Sequence, residues 1–126
     1  MNTDEHRFDD PLTRSIIGAF FEVSNELGAG FLEKPYENAL ALELRSRGHQ
    51  VSQQVPVPIF FKGQLVGEYI ADMIVDERIL IEVKAVKALD DVHVAQCMNY
   101  LKATTLRICL LVNFGSPSVK WQRIVR

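Results

Sequence analysis

Between Leu12 and Leu27 the residues Ile16, Ile17, Phe20, Phe21 and Leu27 return at helical spacing, a stripe that predicts an amphipathic helix with one buried side. Asp10-Pro11 marks its start, a capping carboxylate followed by proline at the first helical position, and Gly28-Ala29-Gly30 marks its end. A second helix is predicted from Glu33, because Pro35 is tolerated only in a first turn. Leu40 and Leu44 continue the face of Tyr36, up to a basic and glycine stop at Arg45 to Gly48. From Val51 the period becomes that of a strand. Val51, Val55, Val57, Ile59, Phe60 and Phe61 lead to a hairpin turn at Lys62-Gly63-Gln64, with Pro56 and Pro58 restricting the run to an edge or bulged strand.

The stretch from Glu68 to Ala85 reads as two short apolar strands around a polar turn at Asp76, Glu77 and Arg78. Asp72, Glu82 and Lys84 interrupt runs that otherwise look buried, and charged residues are seldom buried unless paired or holding a metal. With the turn centred on Glu77, antiparallel pairing sets Asp72 opposite Glu82 on one face, and Lys84, two residues on, shares that face. Like charges placed directly opposite are destabilising unless a cation lies between them.

Asp90-Asp91 is the expected cap of a third helix, from Val92 to Lys102. Val94, Cys97, Met98 and Leu101 form its apolar stripe, while His93, Gln96 and Tyr100 line an adjacent face. His93 suits either that site or a cap. Arg107 to Phe114 is an unbroken apolar run that reads as a central strand buried on both sides. After a turn at Gly115 to Ser118, Val119 to Val125 alternates basic and apolar residues as an edge strand does. The order of elements predicts an α/β fold, a mixed β-sheet flanked by helices on both faces, with residues 1–10 as a flexible leader and 11–126 as one domain.

A chain of 126 residues is long enough to bury roughly two-thirds of its unfolded surface. The longest apolar runs are far short of a bilayer span, and Met1 to Asp10 is acidic and polar, so export and membrane insertion are not expected. Cys97 and Cys109 lack metal-ligand spacing and read as free thiols in the cytoplasm. The net charge of −2 hides an asymmetry. Residues 1–83 carry seven Lys and Arg against fourteen Asp and Glu, and residues 84–126 carry seven against two, a local +5, compatible with one face meeting a polyanion.

Asp72 with Glu82-Val83-Lys84 suits Mg²⁺, which takes one or two carboxylates and leaves its other positions to water and phosphate. A lysine beside such a pair is placed to orient or deprotonate water. These residues, together with Gly30-Phe31-Leu32-Glu33-Lys34-Pro35-Tyr36, Ala95-Gln96, Asn99-Tyr100-Leu101 and Asn113-Phe114-Gly115, resemble the GxxExxY proteins of the PD-(D/E)XK nuclease superfamily. The resemblance extends from Leu12 to Ile124, and the proline of the nominal Pro-Asp pair is replaced by Ala71. It implies a restriction-endonuclease-like core in which Asp72, Glu82 and Val83 hold Mg²⁺ (or Mn²⁺), Glu33 completes the metal set, and Lys84 acts on the attacking water. Gln96 and Tyr100 are similar to the Gln-x-x-x-Tyr motif of the RecB-like branch, which holds substrate beside the metal.

The expected activity is a Mg²⁺-dependent phosphodiesterase acting on DNA, with RNA the second choice, leaving 5′-phosphates. The alternative is a nuclease-fold module with little or no turnover that binds nucleic acid or a protein partner. A third option, a small phosphorylated substrate, lacks support because Gly28-Ala29-Gly30 has neither the lysine nor the preceding strand of a phosphate-binding loop. A homodimer, or a partner supplying specificity, is compatible with a chain of this size.

Overall fold

In the computed structural model, which describes residues 10–126, the first helix, α1, runs from Pro11 to Leu27. Its start follows the sequence. The Asp10 carboxylate accepts from the Leu12 amide (3.1 Å), satisfying a donor that a helix leaves free, and Pro11 occupies a position where no amide hydrogen is needed. Asp10 also pairs with Arg78 in a distant turn (2.9 Å), so it is part of the folded domain. Residues 1–9, the rest of the leader expected from the sequence, lie outside the described residues.

The second helix, α2, runs from Glu33 to Ser46. The loop before it is folded back by Tyr36, whose hydroxyl donates to the Gly28 carbonyl (2.5 Å) and accepts from the Phe31 amide (3.2 Å). Gly30 supplies the φ of +118° that this return requires. The Tyr36 ring is fully buried and stacks on Phe114 at 4.8 Å, fixing α2 to the sheet.

Five strands follow: β1 (Val51–Phe61), β2 (Gln64–Val75), β3 (Ile79–Lys84), β4 (Ile108–Asn113) and β5 (Lys120–Val125), lying side by side in that order. The third helix, α3 (Asp91–Lys102), connects β3 to β4 and makes them parallel, whereas every other pair is antiparallel. Helices α1 and α2 cover one face through Ile16, Phe20, Leu40 and Leu44 against Met73, Ile81, Val83 and Val112. Helix α3 covers the other through Cys97, Tyr100 and Leu101 against Leu80, Cys109 and Leu111. This is the mixed sheet between helices that the pattern predicts. Among the described residues no helix is long and apolar enough to cross a membrane.

Alternation in β3 sends Ile79, Ile81 and Val83 to the α1/α2 side and Leu80, Glu82 and Lys84 to the α3 side. The β1–β2 ribbon does something the period alone does not reveal. Val51, Met73 and Val75 pack with α1 and α2, but Val55, Val57 and Ala71 pack with α3, so the ribbon turns over between these residues. Gln54, which lies between the pairs Gln53↔Met73 and Val55↔Ala71, has a φ of +54°. The Glu37 carboxylate of α2 holds this pivot, accepting from Gln53 Nε2 (2.8 Å) and Gln54 Nε2 (2.9 Å). Beyond it the ribbon leaves the sheet as a two-stranded arm, closed by a turn in which Lys62 and Gly63 both have positive φ, as a type I′ hairpin demands.

The β2–β3 turn is anchored from the helix side. Asp76 accepts from the Gln50 amide (2.8 Å), its other oxygen lies 2.8 Å from His49 Nδ1, and His49 Nε2 lies 2.7 Å from the Ser15 hydroxyl on α1. Burial opposes ionisation of Asp76, but the Gln50 amide, His49 and Arg78 outweigh it and hold the carboxyl below its ordinary range.

Candidate active site

The β2–β3 ladder has the register expected for a turn centred on Glu77: Val75↔Ile79, Ile74↔Leu80 and Met73↔Ile81. One step further, at Asp72 and Glu82, side chains replace main-chain pairing. Glu82 Oε1 accepts from the Asp72 amide (3.2 Å) and Asp72 Oδ2 from the Val83 amide (2.8 Å). The pivot at Gln54 explains why the ladder stops here, since β2 turns away while β3 continues along β4. Two carboxyl groups are left facing each other at the point where the strands part.

Glu82 is only 3% exposed. Burial, then the charge of Asp72 and a hydrogen bond between the two carboxyl groups, pushes its pKa up to about 9. Without a cation, burial and the neighbouring Asp72 thus favour the protonated form of Glu82. Among the described residues no three His, Cys, Asp or Glu side chains converge to hold a metal. Two carboxylates nevertheless fit a hard divalent cation that keeps water and substrate phosphate in its other positions, and do not fit a closed four-ligand site.

Lys84 lies on the Glu82 side of β3, half-buried, and its side chain makes no hydrogen bond or ion pair among the described residues. Its ammonium is near Cys97. The Cys97 thiol is drawn below its ordinary range by a hydrogen bond from Cys109 and by Lys84, against burial and Asp72. What fixes Lys84 is the loop that follows it. The Phe114 amide donates to the Lys84 carbonyl (2.9 Å), and the Asn113 side chain receives the amides of Val86 (3.0 Å) and Gly115 (2.9 Å) while donating to the Val86 carbonyl (2.9 Å). A β-carbon on Gly115 would overlap the Val86 main chain. The Asn-Phe-Gly sequence is thus a clamp on the exit of β3.

On α3, Asp90 caps the first turn by accepting from the Val92 amide (3.0 Å), and His93 Nδ1 accepts from the Asp90 amide (3.1 Å). Of the two roles open to His93 in the sequence, the cap is the one it fills. Tyr100 is buried, with its hydroxyl donating to the Ile70 carbonyl (3.2 Å) and receiving Gln96 Nε2 (3.5 Å). Burial first, then the charges of Glu82 and Asp72, raise its pKa to about 12, so it is a neutral donor within electrostatic reach of the carboxyl pair.

The structure therefore brings Asp72, Glu82, Val83, Lys84, Gln96 and Tyr100 to one region. Glu33 is exposed in the first turn of α2, where the helix dipole favours an acid. The buried acid of that helix is Glu37, with Lys34 Nζ at 3.3 Å and the two Gln side chains of the pivot. Its signal in the sequence was the spacing Glu37, Ala41, Leu44, which places it on the buried side of α2.

Neither the curated proteins nor the solved structures compared with the chain gave a match. The family model of the PD-(D/E)XK nuclease superfamily matches residues 10–124, a span that includes the three helices described, β1 to β4 and all of β5 but its last residue, and the mixed sheet between helices is the restriction-endonuclease-like α/β fold of that group. With the acid pair at the parting of two strands and a lysine two residues on, the chain belongs to the PD-(D/E)XK nuclease superfamily.

Proposed function

We propose that the protein is a Mg²⁺-dependent nuclease that hydrolyses phosphodiester bonds of DNA. The observation that carries this reading is the Asp72–Glu82 carboxyl pair, enclosed by apolar strands and short of positive charge. A divalent cation held by Asp72, Glu82 and the main chain at Val83 would supply Lewis acidity toward the phosphate. Lys84, unpaired on the same side of β3, orients the attacking water and offsets charge gathering on the phosphate oxygens as the 3′ oxygen leaves, giving 5′-phosphate ends. Gln96 offers a neutral donor to the substrate strand, positioned by Tyr100, whose hydroxyl accepts one Gln96 N–H and donates to the Ile70 carbonyl. The Gly30, Glu33 and Tyr36 pattern supports a place among the GxxExxY proteins, and Gln96 with Tyr100 a place in the RecB-like branch. The buried thiols of Cys97 and Cys109 suit a reducing cytoplasm.

Purified protein incubated with single-stranded, duplex and branched DNA in Mg²⁺ or Mn²⁺ tests the reading. Cleavage is expected, with Lys84→Ala slower by roughly 10²- to 10⁴-fold and Asp72→Ala inactive. A wild type inert toward every substrate, or an Asp72→Ala variant as active as wild type, refutes it.

A further inference from the structure

Where the β1–β2 arm leaves the sheet it overhangs the C-terminal half of α3, and between them lies an open cleft of about 400 Å³ lined by Pro58, Ile59, Phe60, Tyr69, Asn99 and Lys102. Its walls are of two kinds. Phe60 and Tyr69, 62% and 42% exposed, offer ring faces that no protein group covers completely. Asn99 offers an amide that donates and accepts, and Lys102 a cation at the rim.

The cleft is joined to the candidate active site. The Tyr69 ring packs edge to face on Tyr100 at 5.4 Å, and the next residue, Ile70, accepts the Tyr100 hydroxyl. One aromatic ring thus separates the cleft from the tyrosine that senses Asp72 and Glu82. A ligand with a flat apolar face, a hydrogen-bonding edge and an attached anion matches this lining, and a nucleotide has all three. The volume falls in the range of small-ligand sites.

We propose that this cleft seats an unpaired base of the substrate strand, next to the phosphate presented to Asp72 and Glu82, so that the preferred substrate is single-stranded or locally unpaired DNA. The proposal rests on the DNA-cleaving reading above. A base stacked within a duplex cannot enter, because its faces are covered and its edge is paired. An unpaired base gains stacking on Tyr69 and Phe60 whatever its identity, while Asn99 is placed to read its edge. A second copy of the chain is the competing occupant, since the arm also exposes Phe61, Leu65 and Val66. The lysine and amide of the lining and the continuity with Tyr100 favour the nucleotide. Pro56 and Pro58 moreover have no N–H with which the open edge of β1 would pair to another strand.

The test separates binding from cleavage. Fluorescent single-stranded and duplex oligonucleotides, some carrying 2-aminopurine, are titrated with the whole protein at low salt, in EDTA and in Ca²⁺. Single strands are expected to bind at least roughly tenfold tighter than duplex and to quench 2-aminopurine. Tyr69→Ala weakens that binding roughly 5- to 100-fold, and Tyr69→Phe restores it. Lys102→Ala lowers the slope of log affinity against log salt by about one. Equal affinity for single strands and duplex, or no measurable single-strand binding, overturns the proposal. So does a wild-type dimer in light scattering that Tyr69→Ala converts to monomer without changing DNA affinity. Tight single-strand binding by a protein that cleaves nothing would uphold the cleft and refute the nuclease reading; cleavage without strand preference would do the reverse.

Discussion

Replacing Glu82 by glutamine removes a titrating proton without removing a hydrogen bond. The glutamine carbonyl still accepts the Asp72 amide, and its amide group donates to the Asp72 carboxylate as the protonated acid does. In the metal-free protein the folded chain holds the Glu82 proton with a pKa of about 9, against 4.5 for the ordinary side chain. The folded state therefore binds the proton more tightly, and the stability this contributes is full below 4.5, declines as pH rises and levels off near 9. At pH 7 the gap of about 2.5 units from the unfolded value corresponds to roughly 3 kcal/mol already lost. Urea unfolding in EDTA across this range reads the difference. Wild type and Glu82→Gln are expected to coincide near pH 4, with the variant more stable by roughly 3 kcal/mol at pH 7. Mg²⁺ should then stabilise wild type at pH 8 and leave the variant nearly unmoved. Parallel pH profiles for the two proteins would refute the raised Glu82 pKa and, with it, the claim that this pair lacks positive charge.

The turn that anchors β2–β3 has the opposite pH sign. The Asp76 carboxyl is held below its ordinary value, so its contribution is present above about pH 4 and is lost as pH falls through the lower folded value; Asp76→Asn should cost about 1 kcal/mol at neutral pH, a deficit that closes in acid unfolding curves. Gly115→Ala forces the Val86 main chain aside and is expected to cost roughly 1–3 kcal/mol in urea titrations, with a cleavage rate that falls more than unfolding explains because Lys84 moves with the loop. Tyr36→Phe strands the Gly28 carbonyl and Phe31 amide. Both lie on an exposed loop and regain water, so the expected cost in thermal unfolding is only about 1 kcal/mol.

The acid pair was legible because its cause is local. A turn centred on Glu77 and a strand period of two fix which side chains face each other, and the ladder from Val75↔Ile79 to Met73↔Ile81 has that register. The helix caps at Asp10 and Asp90 were legible for the same reason. Glu33 and Glu37 mark where such reasoning stops. Both are acids near the start of α2; helical spacing puts Glu37 on the buried side, but what it meets there, the pivot where the β1–β2 ribbon turns over, is not visible from α2. That pivot is set by Gln53 and Gln54 meeting Glu37 from another element. Glutamine at a strand position carries no warning of a left-handed residue. The cleft beside α3 escaped for the same cause, because it exists only where the arm, once turned, overhangs Asn99 and Lys102.

The order β1-β2-β3-β4-β5 makes every spatial neighbour in the sheet a neighbour in the chain as well. Asp72 and Glu82 are joined by one tight turn, so the acidic half of the site needs no long loop to close and belongs to the fast, local part of folding. Gln96 and Tyr100 arrive with the crossover through α3, once β4 has docked parallel to β3. Covering the acid pair with α3 when no cation is bound is therefore coupled to proton uptake at Glu82, because it is burial that raises its pKa.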